Sequence, residues 1–155
     1  MEDMDDAGIY ARPLAAIDRH VQIGVAGERL LSVSFPATPD ETAEEDHPLL
    51  DRIAAAVDGE ADDFEDVTVA LTVPTDQRRV LESLRSVPRG DTVDIDLLTR
   101  MTSGLDHEDG ADRETVRRAL ANNPLPVVIP DHRVVDGPSA APTDVADRLR
   151  GHEGL

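Results

Sequence analysis

The period of the apolar pattern changes at Pro74, and no other feature restricts the fold as much. Ahead of it, Ile17, Val21, Ile23 and Val25 fall at even spacings, Ala26-Gly27-Glu28 can turn the chain, and Leu30 to Phe35 returns. Ile9 to Phe35 therefore reads as an antiparallel meander. An acidic loop, Pro36 to Asp46, separates it from a helix opened by His47-Pro48, with Leu49, Leu50, Ile53, Ala54 and Val57 on one face and Gly59 at its end. Val67 to Val73 is dense in β-branched residues and predicts another strand. Beyond Pro74 the period becomes helical. Thr75 suits an N-cap, and Val80, Leu81, Leu84 and Val87 form a stripe. Pro88 to Asp91 is a turn, and Ile95, Leu97, Leu98 and Met101 suit a short helix that Ser103-Gly104 stops. Another helix runs from about Asp112 to Ala121, with Val116, Ala119 and Leu120 inward. Leu125 to Val135 predicts a β-rich segment interrupted by Pro130-Asp131-His132-Arg133, and a last helix runs from Thr143 to about His152. The class is α+β, with a boundary near Pro74 and an opening that is expected to be disordered to about Ala7.

Composition narrows the setting. Hydrophobic residues are 39% but aromatics only 2%, so a core must be built from Val, Leu, Ile and Ala. The net charge is -18, all 15 basic residues are Arg, and Lys is absent. Such a balance works against nucleic-acid affinity, which comes largely from cations on phosphates. It also fits a protein of a salt-loving cytoplasm, where a Debye length of about 3 Å at molar salt screens acidic self-repulsion. With no cysteine, disulfides, zinc-thiolate sites and thiol nucleophiles are excluded. No apolar run is long enough to cross a bilayer, and the acidic start is unlike a signal peptide. The expectation is a soluble, cytoplasmic protein without a membrane partner.

The segment Asn123-Pro124-Leu125-Pro126-Val127-Val128-Ile129-Pro130-Asp131-His132-Arg133-Val134-Val135 resembles the active-site segment of the O6-alkylguanine-DNA alkyltransferases, the methylated-DNA–protein-cysteine methyltransferases. In that family an Asn-Pro pair leads through an apolar strand to Pro-Cys-His-Arg-Val. Here all but one residue suits the pattern, and Asp131 stands for the cysteine. Val87 to Val93 resembles the turn before the second helix of the family's helix-turn-helix, Thr75-Asp76-Gln77 its Thr-Phe-Gln, and Leu149 to Gly154 its closing helix with an active-site Glu. The resemblance implies an N-terminal ribonuclease H-like α+β domain over 8–73 and a winged helix-turn-helix domain over 75–155.

It also implies roles. A Glu holds a His that acts through water on the Cys, as for any activated nucleophile. Glu153 and His132 stand at those positions and Asn123 at that of the residue shaping the active-site turn. With the thiol absent, the pocket of Asp131, His132, Glu153 and Asn123 is expected to be vestigial. Asp131 then reads as a solvated loop carboxylate or, more sharply, as a nucleophilic one that forms an ester. The family's base-replacing Arg falls on Glu114, beside Arg113; its normally small recognition face carries Arg117 and Arg118; its nucleotide-rotating Tyr falls on Ile95 and the neighbouring Ser on Asp94. Its Gly-rich loop with a Tyr has no counterpart in the short stretch Asp136 to Pro142. Arg113, Arg117 and Arg118 could form a phosphate-binding face or pair with helix acids. Asp131, His132 and Glu153 are metal-ligand types, but the family already accounts for two of them, so neither metal nor cofactor is expected. His20, His47 and His107 read as surface or structural. Two functions follow: a non-catalytic homologue that binds double-stranded DNA or alkylated bases in DNA repair, or a pseudo-enzyme that docks another protein through the acidic surface of Asp91, Asp94, Asp96 and Glu114. An enzyme using Asp131 is the least favoured reading.

Overall fold

A computed structural model of the chain describes residues 8–15 and 17–155. The acidic opening to Ala7 lies outside the described residues. Strands β1 (Gly8–Leu14), β2 (Arg19–Ala26) and β3 (Arg29–Ser34) form an antiparallel sheet in the order β1-β2-β3. Tyr10 faces Ile23 in one ladder and Ile23 faces Val33 in the other, with an irregularity at Gly24/Val25. The alternation of β2 is that of a half-buried strand: Val21, Ile23 and Val25 are buried and their neighbours are not. Gly27, at φ +60°, makes the tight return to β3.

Helix α1 (Pro48–Val57) packs Leu50, Ile53, Ala54 and Val57 into the core beside this sheet. Its start is fixed by Pro48 in the first turn and by His47, whose Nδ1 accepts from the Leu49 amide at 3.1 Å. His47 is thus a cap, its ring 4.7 Å from that of Tyr10. Helices α2 (Thr75–Leu84), α3 (Ile95–Met101) and α4 (Gly110–Ala121) pack on one another, and α5 (Thr143–Glu153) returns to α1. Asp94 and Asp109 cap α3 and α4 through their side chains. Thr75, expected as an N-cap, is instead the first residue of α2, after an extended Pro74 that provides no side-chain cap. One cluster of buried aliphatic side chains runs from Val21 and Leu30 through Leu81 and Leu120 to Val145.

Two expected β segments are not strands. Val67 to Val73 meets β3 at a single parallel bridge, Leu30 to Val69, through Leu30 N–H to Thr68 O at 2.9 Å and Ala70 N–H to Leu30 O at 3.0 Å. The outer edge of β3 is shared: the Val33 amide donates to Pro124 O at 2.8 Å, so little edge remains for a longer ladder. Leu125 to Val135 is a succession of turns. Pro124, Pro126 and Pro130 supply no ladder donors, Val127 has φ +80°, and Pro130, at φ -82° and ψ 70°, closes an inverse γ-turn through Asp131 N–H to Ile129 O at 2.8 Å. No helix among the described residues is long and apolar enough to cross a membrane.

Candidate functional site

The turns after Pro124 deliver Asp131 to the first residue of a one-turn 3-10 helix, Asp131–Arg133. Its side chain is not solvated, as the sequence suggested, but buried, with the residue 1% exposed. Asn123 Nδ2 donates to Oδ2 at 3.1 Å and the Ala140 amide donates to the same oxygen at 2.9 Å, while the Ser139 hydroxyl donates to Oδ1. Asn123 is itself fixed, accepting from the Leu125 amide at 3.0 Å and donating to Ile129 O at 3.1 Å. Burial pushes the Asp131 carboxyl above the usual carboxylate range, against the lowering effect of the bonds from Ser139, Ala140 and Asn123 and of the charge of His132.

The short loop after the 3-10 turn is what closes over Asp131. Asp136 Oδ1 accepts from the Ile95 amide at 2.8 Å, and Ser139 Oγ accepts from the Ala141 amide at 3.1 Å. Gly137 lets the backbone lie directly on the core, because a Cβ there would sit 2.6 Å from Leu120 Cδ1. The loop is therefore pinned at its start, middle and end. A carboxylate so covered presents no face from which to attack an electrophile.

Behind Asp131, the contact expected between His132 and Glu153 is present, with His132 Nε2 2.7 Å from Glu153 Oε2. Arg133, given no role by the sequence, completes the cluster. Its Nε donates to Glu153 Oε1 at 2.7 Å and its Nη2 to Oε2 at 3.1 Å, the two-pronged geometry of a strong pair. Its Nη1 donates to Val87 O at 2.7 Å, and Arg150 Nε donates to His132 O at 2.9 Å. Burial raises the Glu153 carboxyl, but the hydrogen bonds and charges of His132 and Arg133 outweigh it and hold it at about 2. Arg133 thus shares the Glu153 carboxylate with His132. His132 Nδ1 is buried without a hydrogen-bond partner.

The expected interface residues do not gather. Ile95 is 2% exposed, packed against the core as its apolar side chain requires, so it contributes nothing to a surface; the expectation that it lies at an interface is corrected. Arg113 is turned back, its Nη1 donating to His107 O at 2.6 Å. Glu114 and Arg117 are exposed and pair at 3.6 Å, and Arg118 is exposed one residue further on. Among the described residues no group of three or more His, Asp or Glu is placed to hold a metal. Ser139 and Arg133 were the residues that sequence reasoning missed. The adjacency of Arg133 to the His-Glu pair was a usable signal; for Ser139 there was none.

Against known proteins, the chain is 36% identical over 88 residues to the methylated-DNA–protein-cysteine methyltransferase of Methanothermobacter thermautotrophicus, a match that takes in 56% of this chain. The chain spans about half the length of that relative, 46% of it. In structure it matches Mycobacterium tuberculosis OGT in complex with DNA with a TM-score of 0.71 at 20% identity, over 95% of this chain and 93% of that one. This chain has the alkyltransferase fold. The O6-methylguanine-DNA methyltransferase of Pyrococcus kodakaraensis KOD1 carries the same fold at a TM-score of 0.68 and 20% identity, over 95% and 99% of the two chains. No family model matches. On the alkyltransferase fold, the Asn-Pro to Arg-Val segment here carries a buried carboxylate and a His-Glu pair that Arg133 also binds, with no cysteine in the chain.

Proposed function

We propose that this chain is a non-catalytic alkyltransferase-like protein that binds duplex DNA in a repair context without taking an alkyl group or extruding a base. The observation that carries the reading is Asp131: it stands where the resemblance puts the acceptor cysteine, it is 1% exposed, and three donors from Asn123, Ser139 and Ala140 hold it. The assignment extends to a ribonuclease H-like domain over 8–73, a winged helix-turn-helix over 75–155 and a high-salt cytoplasm. A solved neighbour of the same fold is in complex with DNA, and α4 exposes Arg117 and Arg118. Glu114 works against a phosphate on that face.

The test is binding to duplex DNA, with and without O6-methylguanine, from low to molar salt. Ordinary DNA binders weaken steeply as salt rises. Here the expected result is weak affinity, no preference for the methylated base and a shallow or inverted salt slope, because salt also screens the protein's own repulsion. Glu114→Arg should strengthen binding. If this variant stays folded and binds at no salt concentration, DNA is the wrong partner. The second reading, a protein-docking module, is favoured by Leu97 and Met101, each 38% exposed on α3 beside the exposed Asp91 and Asp94.

A further inference from the structure

An open cleft of about 590 Å³ lies between the 61–65 loop and the turn at 85–89, with Val127, Val128 and Pro130 also lining it. It is separate from the closed loop over Asp131 and has no part in the DNA reading. Its volume lies in the range of small-molecule sites. Among the described residues only two non-glycine residues have positive φ, Phe64 at 55° and Val127 at 80°, and both line this cleft. A β-branched residue in that region is a rare and strained conformation, of the kind that persists where the surroundings enforce it and that clusters at binding sites.

The cleft is also lined by two arginines bonded only to backbone carbonyls. Arg85 Nη2 donates to Phe64 O at 2.8 Å and Val67 O at 3.1 Å; Arg89 Nη2 donates to Gly59 O at 3.3 Å and His152 O at 3.2 Å. Each guanidinium is therefore anchored through one nitrogen, and among the described residues Nε and Nη1 of both are left without an acceptor. The chain has 33 acids to 15 arginines, and Arg12, Arg52 and Arg148, among others, are paired with carboxylates. Arg85 and Arg89, like Arg29, Arg78, Arg79, Arg113 and Arg118, have none among the described residues, but these two share one cleft. Two positioned guanidinia with free donor edges are suited to a carboxylate.

The loop that holds Arg85 restricts the ligand further. Asp63 and Glu65 are exposed there, and Asp62 is already paired with Arg52 at 2.8 Å. A polyanion would meet these acids, whereas a ligand with its own ammonium group would be attracted. At its inner end the cleft shares Phe64, Arg89, Val127 and Arg133 with a cavity of about 20 Å³ that His132 also lines.

We propose that this cleft binds a small zwitterion of the amino-acid class, its carboxylate held by Arg85 and Arg89, its ammonium group by Asp63 and Glu65, and its apolar body against Val127, Val128 and Pro130. The experiment titrates the full chain with three probes of one skeleton: L-phenylalanine, 3-phenylpropanoate and 2-phenylethylamine, by calorimetry and by amide NMR of Val127 and Val128. L-Phenylalanine should bind in the millimolar range or tighter and move those amides. Phenylpropanoate should bind at least tenfold more weakly, and phenylethylamine not at all. Arg89→Gln, which also removes the bonds to Gly59 O and His152 O and is read where the variant is still folded, should weaken phenylalanine at least tenfold, and Glu65→Gln should weaken phenylalanine but not phenylpropanoate. The proposal is overturned if none of the probes binds, if phenylethylamine binds as well as phenylalanine, or if folded Arg89→Gln binds phenylalanine like the wild type.

Discussion

Removing the Asp131 side chain tests whether it is a structural hub. In Asp131→Ala three donors lose their acceptor together. Two can adapt, because Asn123 Nδ2 keeps Ile129 O at 3.1 Å and the Ser139 hydroxyl can rotate. The Ala140 amide cannot. Stranding one buried backbone donor costs about 1–3 kcal/mol, and the space left behind adds about 1 kcal/mol. Relief of a buried carboxylate offsets part of this. The net loss should be about 2–3 kcal/mol, lowering Tm by about 5–10 °C for a chain of this size. Asp131→Asn keeps an acceptor for Asn123 and Ala140 and should lie within about 1 kcal/mol of the wild type. The pH dependence has a definite sign. Burial raises the folded carboxyl above its ordinary value of 3.8, so its favourable contribution is complete below that value and is lost as pH rises through the folded one. The wild type should therefore gain on Asp131→Asn as pH falls from neutral toward 4. Urea unfolding of the three proteins from pH 4 to 8 measures this. Equal stability of the Ala variant and the wild type, or an Asn variant as unstable as Ala, would refute the hub.

Three further outcomes are expected. Glu153→Gln should destabilise by about 3–5 kcal/mol, because it leaves the buried Arg133 without its counter-charge. The carboxyl of Glu153 is held at about 2 against an ordinary 4.5, so the wild type should lose stability as pH falls from 4.5 toward 2; urea midpoints of the variant should lack that loss. Incubation with O6-methylguanine DNA should leave the intact mass unchanged, and a methyl adduct would show that a carboxylate here does accept one. Asp131→Cys should restore almost no transfer in a strand-repair assay, since Ile95 is buried and the loop from Asp136 to Ala140 covers the position.

The meander and the inward faces of the helices were legible because each follows from local periodicity, as Val21, Ile23 and Val25 or Val116, Ala119 and Leu120 do. The pairing of His132 with Glu153 was legible only through the family resemblance, which supplied a long-range contact that spacing cannot. The buried state of Asp131 was not legible, since a carboxylate in a Pro-rich turn looks solvated until the donors of Ser139 and Ala140 are brought to it by tertiary structure. Ile95 shows the opposite failure: its alignment with a surface residue was given more weight than its own apolar side chain. Leu125 to Val135 has strand-like composition, yet its prolines and the backbone of Val127 turn it away from a ladder.

The hydrogen bond from the Val33 amide to Pro124 O has a consequence for synthesis. The outer edge of β3 is completed by a residue from the last third of the chain, long after the meander itself has left the ribosome. The 67–73 segment covers the Leu30 end of that edge earlier, but until Pro124 emerges the Val33 end stays open to any neighbouring strand, the usual route to misassembly between nascent chains. The exposed side of β3, Arg29, Ser32 and Ser34 with Leu31 the one apolar member, is mostly polar, which helps keep the waiting strand wet until its late partner arrives.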